Sequence, residues 1–207
     1  MKRTRTSKSW MSEHTSDLFV KQAQKDGYRS RAAYKLIEIN KKYNLLKEDM
    51  IIVDLGSAPG SWSQVAIKKI GSKGKVFALD LLEMHPIKEV DFIKGDFRDT
   101  EVLSKLENKL NNLQVDLVIS DMAPNITGIK VVDQSAAIYL NELALDFSCN
   151  WLKPNGHFLV KSFIGSDFDS FVDSIKPFFK KVIRFKPSSS RDRSSEIFVL
   201  GIEKLNT

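Results

Sequence analysis

Five side chains with chemistry to offer stand where apolar runs of this sequence end. In "GHFLVKSFIG" (156–165), Phe158, Leu159 and Val160 lead straight into Lys161, an ammonium group at the edge of an apparent buried strand. Such a lysine can be a solvated strand end, a phosphate clamp, or a base tuned by its surroundings. Four carboxylates hold matching positions: Asp54 in "MIIVDLG", Asp80 in "KVFALDL", Asp96 in "VDFIKGD" and Asp121 in "VDLVISD". Each alone reads most simply as a strand-end cap or turn former. Their recurrence at successive strand ends is much harder to explain that way. A doubly negative pyrophosphate fits poorly among them, whereas a ligand carrying a sulfonium and an ammonium group fits well.

The elements that must position these groups follow from periodicity. The runs 50–56, 75–81, 90–96, 115–121 and 156–163 read as strands, and 61–70, 99–110, 133–152 and 167–176 as helices. A helix over 30–43 precedes them, with Ser30 as its expected N-cap, and Pro154 and Gly156 stop the long helix. The alternation implies an α/β fold with a mostly parallel sheet and helices on both faces. The last two strands, in "KKVIRFKP" and "SEIFVLGIEKL", are joined by a Ser/Arg-rich loop too short for a helical crossover. They should form an antiparallel hairpin near one edge. In such a sheet ligands bind at the carboxyl ends of the strands. The first of these ends, "DLGSAPGSW" (54–62), places Gly56 and Gly60 where the backbone can turn sharply and approach a ligand. Its G-x-x-x-G spacing departs from the G-x-G-x-x-G of dinucleotide sites, which counts against a dehydrogenase. A carboxylate at Asp80 suits a ribose diol, one at Asp96 an adenine amino group, and Asp121 the reactive end of the ligand.

Charge adds a partner. Of the +6 net charge, residues 1–47 hold twelve Lys/Arg against four Asp/Glu, and the remaining 160 hold twenty against twenty-two. A second basic stretch, Lys176 to Arg193, has seven Lys/Arg against one acid. Basic segments flanking a near-neutral body suit an extended polyanion, nucleic acid foremost, although a lysine-rich solvated surface reads the same. Residues 1–27 show no sustained periodicity and are expected to be a flexible basic arm, leaving 28–207 as one domain. At 42% hydrophobic and 28% charged residues the chain reads as globular. It has no run of the roughly 18 apolar residues a membrane span needs. With one cysteine, Cys149, and no signal core after the basic start, a cytoplasmic location is expected. His14, His85 and His157 are scattered, so no metal site is expected.

At this point the motifs resemble a family. "DLGSAPGSWSQ", "ALDLLEMHPI", "DFIKGDFRD", "VISDMAPNITG" and "HFLVKSFIG" are similar to the FtsJ/RrmJ class of S-adenosylmethionine-dependent RNA methyltransferases. "YRSRAAYKLIEI" and "SRDRSSEIFVL" extend the likeness to nearly the whole chain. The resemblance implies a Rossmann-like methyltransferase fold with seven strands, and a single methyltransferase domain over 28–207. It implies a catalytic tetrad of Lys35, Asp121, Lys161 and Glu196. The cofactor, S-adenosylmethionine, would contact Gly60, Trp62, Asp80, Asp96 and Asp121. The likeness is strongest to the bacterial branch that methylates the ribose 2′-hydroxyl of a uridine in the A loop of 23S ribosomal RNA, on the assembled large subunit. A monomer is expected. One departure is visible: Ser61 stands in A-P-G-S-W where the family usually has glycine, acceptable unless the position needs a positive φ.

The chemistry assigns roles within that tetrad. A lysine acts as a base only when neutral, and its ordinary pKa of about 10.4 opposes this at pH 7. Burial by the apolar strand, and Lys35 as a neighbouring cation, would both favour the neutral amine. Asp121 favours the charged form but can orient the amine. Lys161 is therefore the expected general base, with Glu196 holding the ribose or a lysine. Trp62 can equally be core. Transfer RNA, a messenger cap, a non-catalytic RNA-binding module and a nicotinamide-dependent dehydrogenase remain the rival readings.

Overall fold

The computed structural model describes residues 17–191 and 194–206, so most of the expected basic arm, residues 1–16, lies outside the described residues. The rest of that arm departs from expectation. It forms helix α1 (Leu18–Asp26), opened by the Asp17 carboxylate on Phe19 N–H and closed by Gly27 in a left-handed conformation. Helix α2 (Ala32–Tyr43) begins after Ser30 because Arg31 already holds helical angles. The Ser30 hydroxyl instead accepts from Ala32 N–H at 3.2 Å and bonds the Ser61 hydroxyl at 2.7 Å.

Seven strands follow: β1 (Ile51–Leu55), β2 (Lys75–Asp80), β3 (Val90–Lys94), β4 (Val115–Ser120), β5 (Leu152–Phe163), β6 (Phe179–Phe185) and β7 (Glu196–Lys204). Helices α3 (Ser61–Ile70), α4 (Thr100–Leu110), α5 (Lys130–Trp151) and α6 (Phe168–Ile175) connect them. The sheet order is β3-β2-β1-β4-β5-β7-β6. β1 to β5 pair in parallel, while β7 runs antiparallel between β5 and the edge strand β6. The C-terminal hairpin is therefore present. Strand β5 starts earlier than expected, at Leu152, and Pro154 and Gly156 fall in an irregularity where its pairing with β4 shifts between Val115 and Leu117.

Alternation along the strands feeds two cores. Ile52, Leu117, Ile119, Leu159 and Phe198 pack under α2 and α3, while Val53, Leu55, Val118, Phe158, Val160 and Val199 pack under α4, α5 and α6. Both faces are apolar and covered, which is why β1 and β4 read as nearly unbroken hydrophobic runs. Strand order reverses between β1 and β4, and there the chain leaving β1 must pass the chain leaving β4. At Gly56 (φ +74°) a Cβ would come within 2.7 Å of Met122 backbone atoms, so only glycine permits this approach.

Candidate active site

The cleft opens at that reversal point. It encloses about 420 Å³ and is lined by Gly56, Ala58, Asp80, Asp96, Asp121 and Tyr139, among others. This is a volume that suits a nucleoside-sized ligand. Each carboxylate is fixed differently. Asp80 accepts from Ala58 N–H at 2.8 Å and Leu82 N–H at 2.7 Å, bracing the loops after β1 and β2. Asp96 is gripped by the Arg98 guanidinium, with contacts of 2.6 to 3.1 Å, and these bonds hold its carboxyl below the usual range. Asp54 is fully buried and accepts from the Ser63 hydroxyl at 2.6 Å, leaving Oδ1 without a partner. Burial pushes its pKa up to about 7, against the Ser63 hydrogen bond and helped by the charges of Asp121 and Asp80.

On the other side of Asp121 the ionic groups pair. Lys161, 8% exposed, donates to the Asp121 carbonyl at 2.7 Å, and its Nζ lies 2.9 Å from Asp121 Oδ1. That second approach makes no hydrogen bond, so the contact is one of charge. Lys35 projects from α2 and bonds Glu196 Oε2 at 2.7 Å. Its cation also lies 5.8 Å from the Phe198 ring centroid. Register explains the grouping. Lys161 opposes Phe198 and Phe163 opposes Glu196, so Lys161 and Glu196 share the sheet face that α2 covers. The structure thus brings Lys35 and Glu196 together as one ion pair and Lys161 and Asp121 as another. Lys35, expected as a cation bearing on Lys161, spends its charge on Glu196. Glu196 is buried rather than a surface strand residue.

Two expected cofactor contacts lie outside the cleft lining. Trp62 is buried, donates from Nε1 to the Ala32 carbonyl at 2.9 Å, and lies 5.8 Å from Phe198 between ring centroids. It locks α2 to α3. Gly60 (φ +110°) faces Arg29, Met84 and Ile87, which a Cβ would strike. Ser61 is the first residue of α3, following Gly60 at the N-cap, and is not among the positive-φ residues. Serine is therefore tolerated there.

Three positioning residues escaped the sequence reading. Arg29 bonds the carbonyls of Pro59, His85 and Pro86 at 2.7 to 3.0 Å, tying the lead into α2 to the loops after β1 and β2. Glu38 takes backbone and hydroxyl donors from Ser188 and Ser189. Burial raises this carboxyl, but those four donors outweigh it and hold it below its ordinary value. Ser190, thereby seated against α2, donates to Glu196 Oε1 at 2.9 Å. The only sequence signal was "SSS" inside a loop otherwise noted for its charge.

The donor set fits S-adenosylmethionine. Three carboxylates rim the cleft; Arg98, the one cation in its lining, is engaged with Asp96, and Lys161, behind Asp121, is engaged with that carboxylate. A cationic ligand is therefore favoured. Among the described residues no group of three or more His, Cys, Asp or Glu could hold a metal. No helix there is long and apolar enough to cross a membrane.

Comparison with known proteins agrees. Residues 28–204 match the family described as FtsJ-like methyltransferase. The protein named ribosomal RNA large subunit methyltransferase E in Methylobacillus flagellatus is 60% identical over 206 residues, covering 100% of both chains. The protein of that name in Nitrosospira multiformis is 56% identical and covers 99% of each. A Plasmodium falciparum crystal structure, provisionally named a ribosomal RNA methyltransferase, is 33% identical with TM-score 0.76, covering 87% of this chain and 100% of its own. Aeropyrum pernix fibrillarin, solved with natively bound S-adenosyl-L-methionine, shares the fold at 18% identity and TM-score 0.56, covering 84% of this chain and 75% of its own.

Proposed function

Because the chain belongs to the FtsJ-like methyltransferase family, we propose that it methylates the ribose 2′-hydroxyl of a uridine in the A loop of 23S ribosomal RNA. It does so in the cytoplasm, as a monomer acting on the large ribosomal subunit. The observation that carries this reading is the buried Lys161–Asp121 pair, with Nζ 2.9 Å from Oδ1, at the rim of a carboxylate-lined cleft. The names of the relatives supply the RNA and the subunit.

S-adenosylmethionine, when bound, supplies an electrophilic methyl carbon on a sulfonium. Asp80 would accept from its ribose diol, Asp96 would accept from its adenine amino group, and Asp121 would balance its positive end. Gly60 and Trp62 would act through the loop and helix that they fix. A 2′-hydroxyl is a weak nucleophile and must lose its proton as it attacks. Lys161 Nζ, once unprotonated, takes that proton, while Asp121 orients the amine through its carbonyl and carboxylate. Lys35, from α2, and Glu196, on the adjoining strand β7, would fix the acceptor ribose so that attack is in line.

The test is a map of 2′-O-methylation on large-subunit RNA from cells lacking the protein, before and after adding purified enzyme and S-adenosylmethionine. One A-loop uridine should be unmethylated and then restored. Full methylation in the deleted strain, or transfer to transfer RNA instead, would sink the assignment.

A further inference from the structure

The rim of the cleft carries an apolar turn that the core does not use. Between the end of β4 and the first turn of α5, Ile126 is 69% exposed, Ile129 62% and Val131 68%. Ile164, three residues past Lys161, adds another exposed aliphatic side chain. Large aliphatic groups gathered on a surface mark a contact with something else. The turn is also built to a fixed shape. Asp133 Oδ1 accepts from Thr127 N–H at 2.8 Å and from the Thr127 hydroxyl at 2.7 Å, and Oδ2 accepts from Gly128 N–H at 3.1 Å. The Thr127 hydroxyl oxygen accepts in turn from Ile129 N–H at 3.1 Å.

Position says what the turn meets. The cleft lining includes Asp121 to Asn125 and resumes at Ala136 and Tyr139, so residues 126–135 join two stretches of its wall. Gln134 Nε2, in the first turns of α5, donates to the carbonyl of Ile164 at 3.1 Å, the residue that follows the strand bearing Lys161. A Cβ on Gly165 would overlap the Gln134 carboxamide, so this junction is tight. Between Met122 and Val132 the only charged residue is Lys130, and both Asp133 oxygens are already committed. The surface is therefore apolar with one cation, which suits nucleobase faces beside a phosphate backbone.

We propose that Ile126 and Ile129 form a preshaped wedge that packs against the bases flanking the target nucleotide and holds it unstacked, with its ribose at Lys161. The inference rests on the proposed RNA substrate. Bases in RNA loops are read when splayed out of the stack, and apolar side chains are a known means of parting base steps. Continuity with the tetrad rim and the single positive charge favour this occupant over a protein or lipid partner.

The test uses full-length protein and two probes. One is a large subunit lacking the modification. The other is an A-loop stem–loop RNA with 2-aminopurine replacing the nucleotide 3′ to the target uridine. The wild type should raise the 2-aminopurine fluorescence, and Ile126→Ser/Ile129→Ser should not. On subunits, the double variant should lose about tenfold in kcat/KM, while its affinity for S-adenosylmethionine stays within twofold of the wild type. The conservative Ile126→Leu/Ile129→Val should recover most of both signals. If the wild type methylates subunits and the serine variant matches it in rate and fluorescence, the wedge alone is overturned. Loss of a wild-type dimer in the variant, or loss of binding to anionic vesicles, with RNA kinetics unchanged, also overturns it. A wild type that methylates no subunit RNA removes the proposed function and the wedge together.

Discussion

On the β1–β3 side of the cleft, carboxylates are held by backbone N–H groups, a serine and one arginine, whereas on the β4–β5–β7 side each faces a lysine. Asp80 and Asp54 have no cation bonded to them, and Asp96 has Arg98. Asp121 and Glu196 have Lys161 and Lys35. On the first side Asp80, held by backbone N–H groups alone among the described residues, leaves negative charge for a cationic ligand to complement. The second neutralises itself, and removing either partner exposes a buried charge. Asp121 belongs to both, since it lines the cleft and pairs with Lys161.

The sharpest way to break this contrast is Lys161→Ala. Turnover should fall by about 10³-fold or more, within the range general base removal produces. Affinity for S-adenosylmethionine should hold or tighten, because Asp121 is freed. Single-turnover methyl transfer with parallel calorimetry checks both, and near-normal turnover defeats the role assigned to Lys161.

The next effect concerns stability. Asp54 has a pKa near 7 in the fold against an ordinary 3.8, so the folded protein holds that proton more tightly than the unfolded chain. Its contribution is whole below about pH 4 and is lost as pH rises through about 7, with a ceiling of roughly 4 kcal/mol. Asp54→Asn should remove this slope. Urea unfolding of both proteins at several pH values reads it as a stability difference that changes between acid and neutral pH. A difference constant with pH contradicts the buried neutral carboxyl.

The smallest effect isolates the cofactor side. Asp80→Ala removes two backbone tethers and the proposed diol acceptor, and should weaken S-adenosylmethionine binding by about ten- to a hundredfold. With saturating cofactor, kcat should stay within about threefold. A kcat loss like that of Lys161→Ala would mean the two sides are not separable.

Much of this molecule was legible in the sequence where local pattern and tertiary demand agree. Strands β1, β2 and β4 are buried on both faces, so their runs of Ile, Val and Leu have one reading. Helix α3 was legible to the residue, since Gly60 and Gly71 bound it. Helix α1 was missed because "LFVKQAQKD" buries only Ala23, and its boundaries depend on Asp17 and Gly27 rather than on an apolar face. Strand β5 runs back to Leu152 through Pro154, which local rules treat as a stop. Within the site, strand-end positions announced the acidic residues. Their environments stayed hidden, because the burial of Asp54 and the pairing of Lys35 with Glu196 are set by packing across the sheet. Glu38 gave no signal and Ser190 only its place in "SSS", since a carboxylate on a helix and a serine in a polar loop look solvated until loop and helix are brought together.

Strand β7 slots between β5 and β6, although it is the last strand in the chain. Everything that rims the acidic cleft is synthesised before it, whereas Glu196, the partner of Lys35, arrives with β7 itself. The residues lining the cleft therefore all precede β7, whereas the Lys35–Glu196 pair depends on it. Lys35 and Glu196, 161 residues apart along the chain, close their ion pair only once β7 is in place.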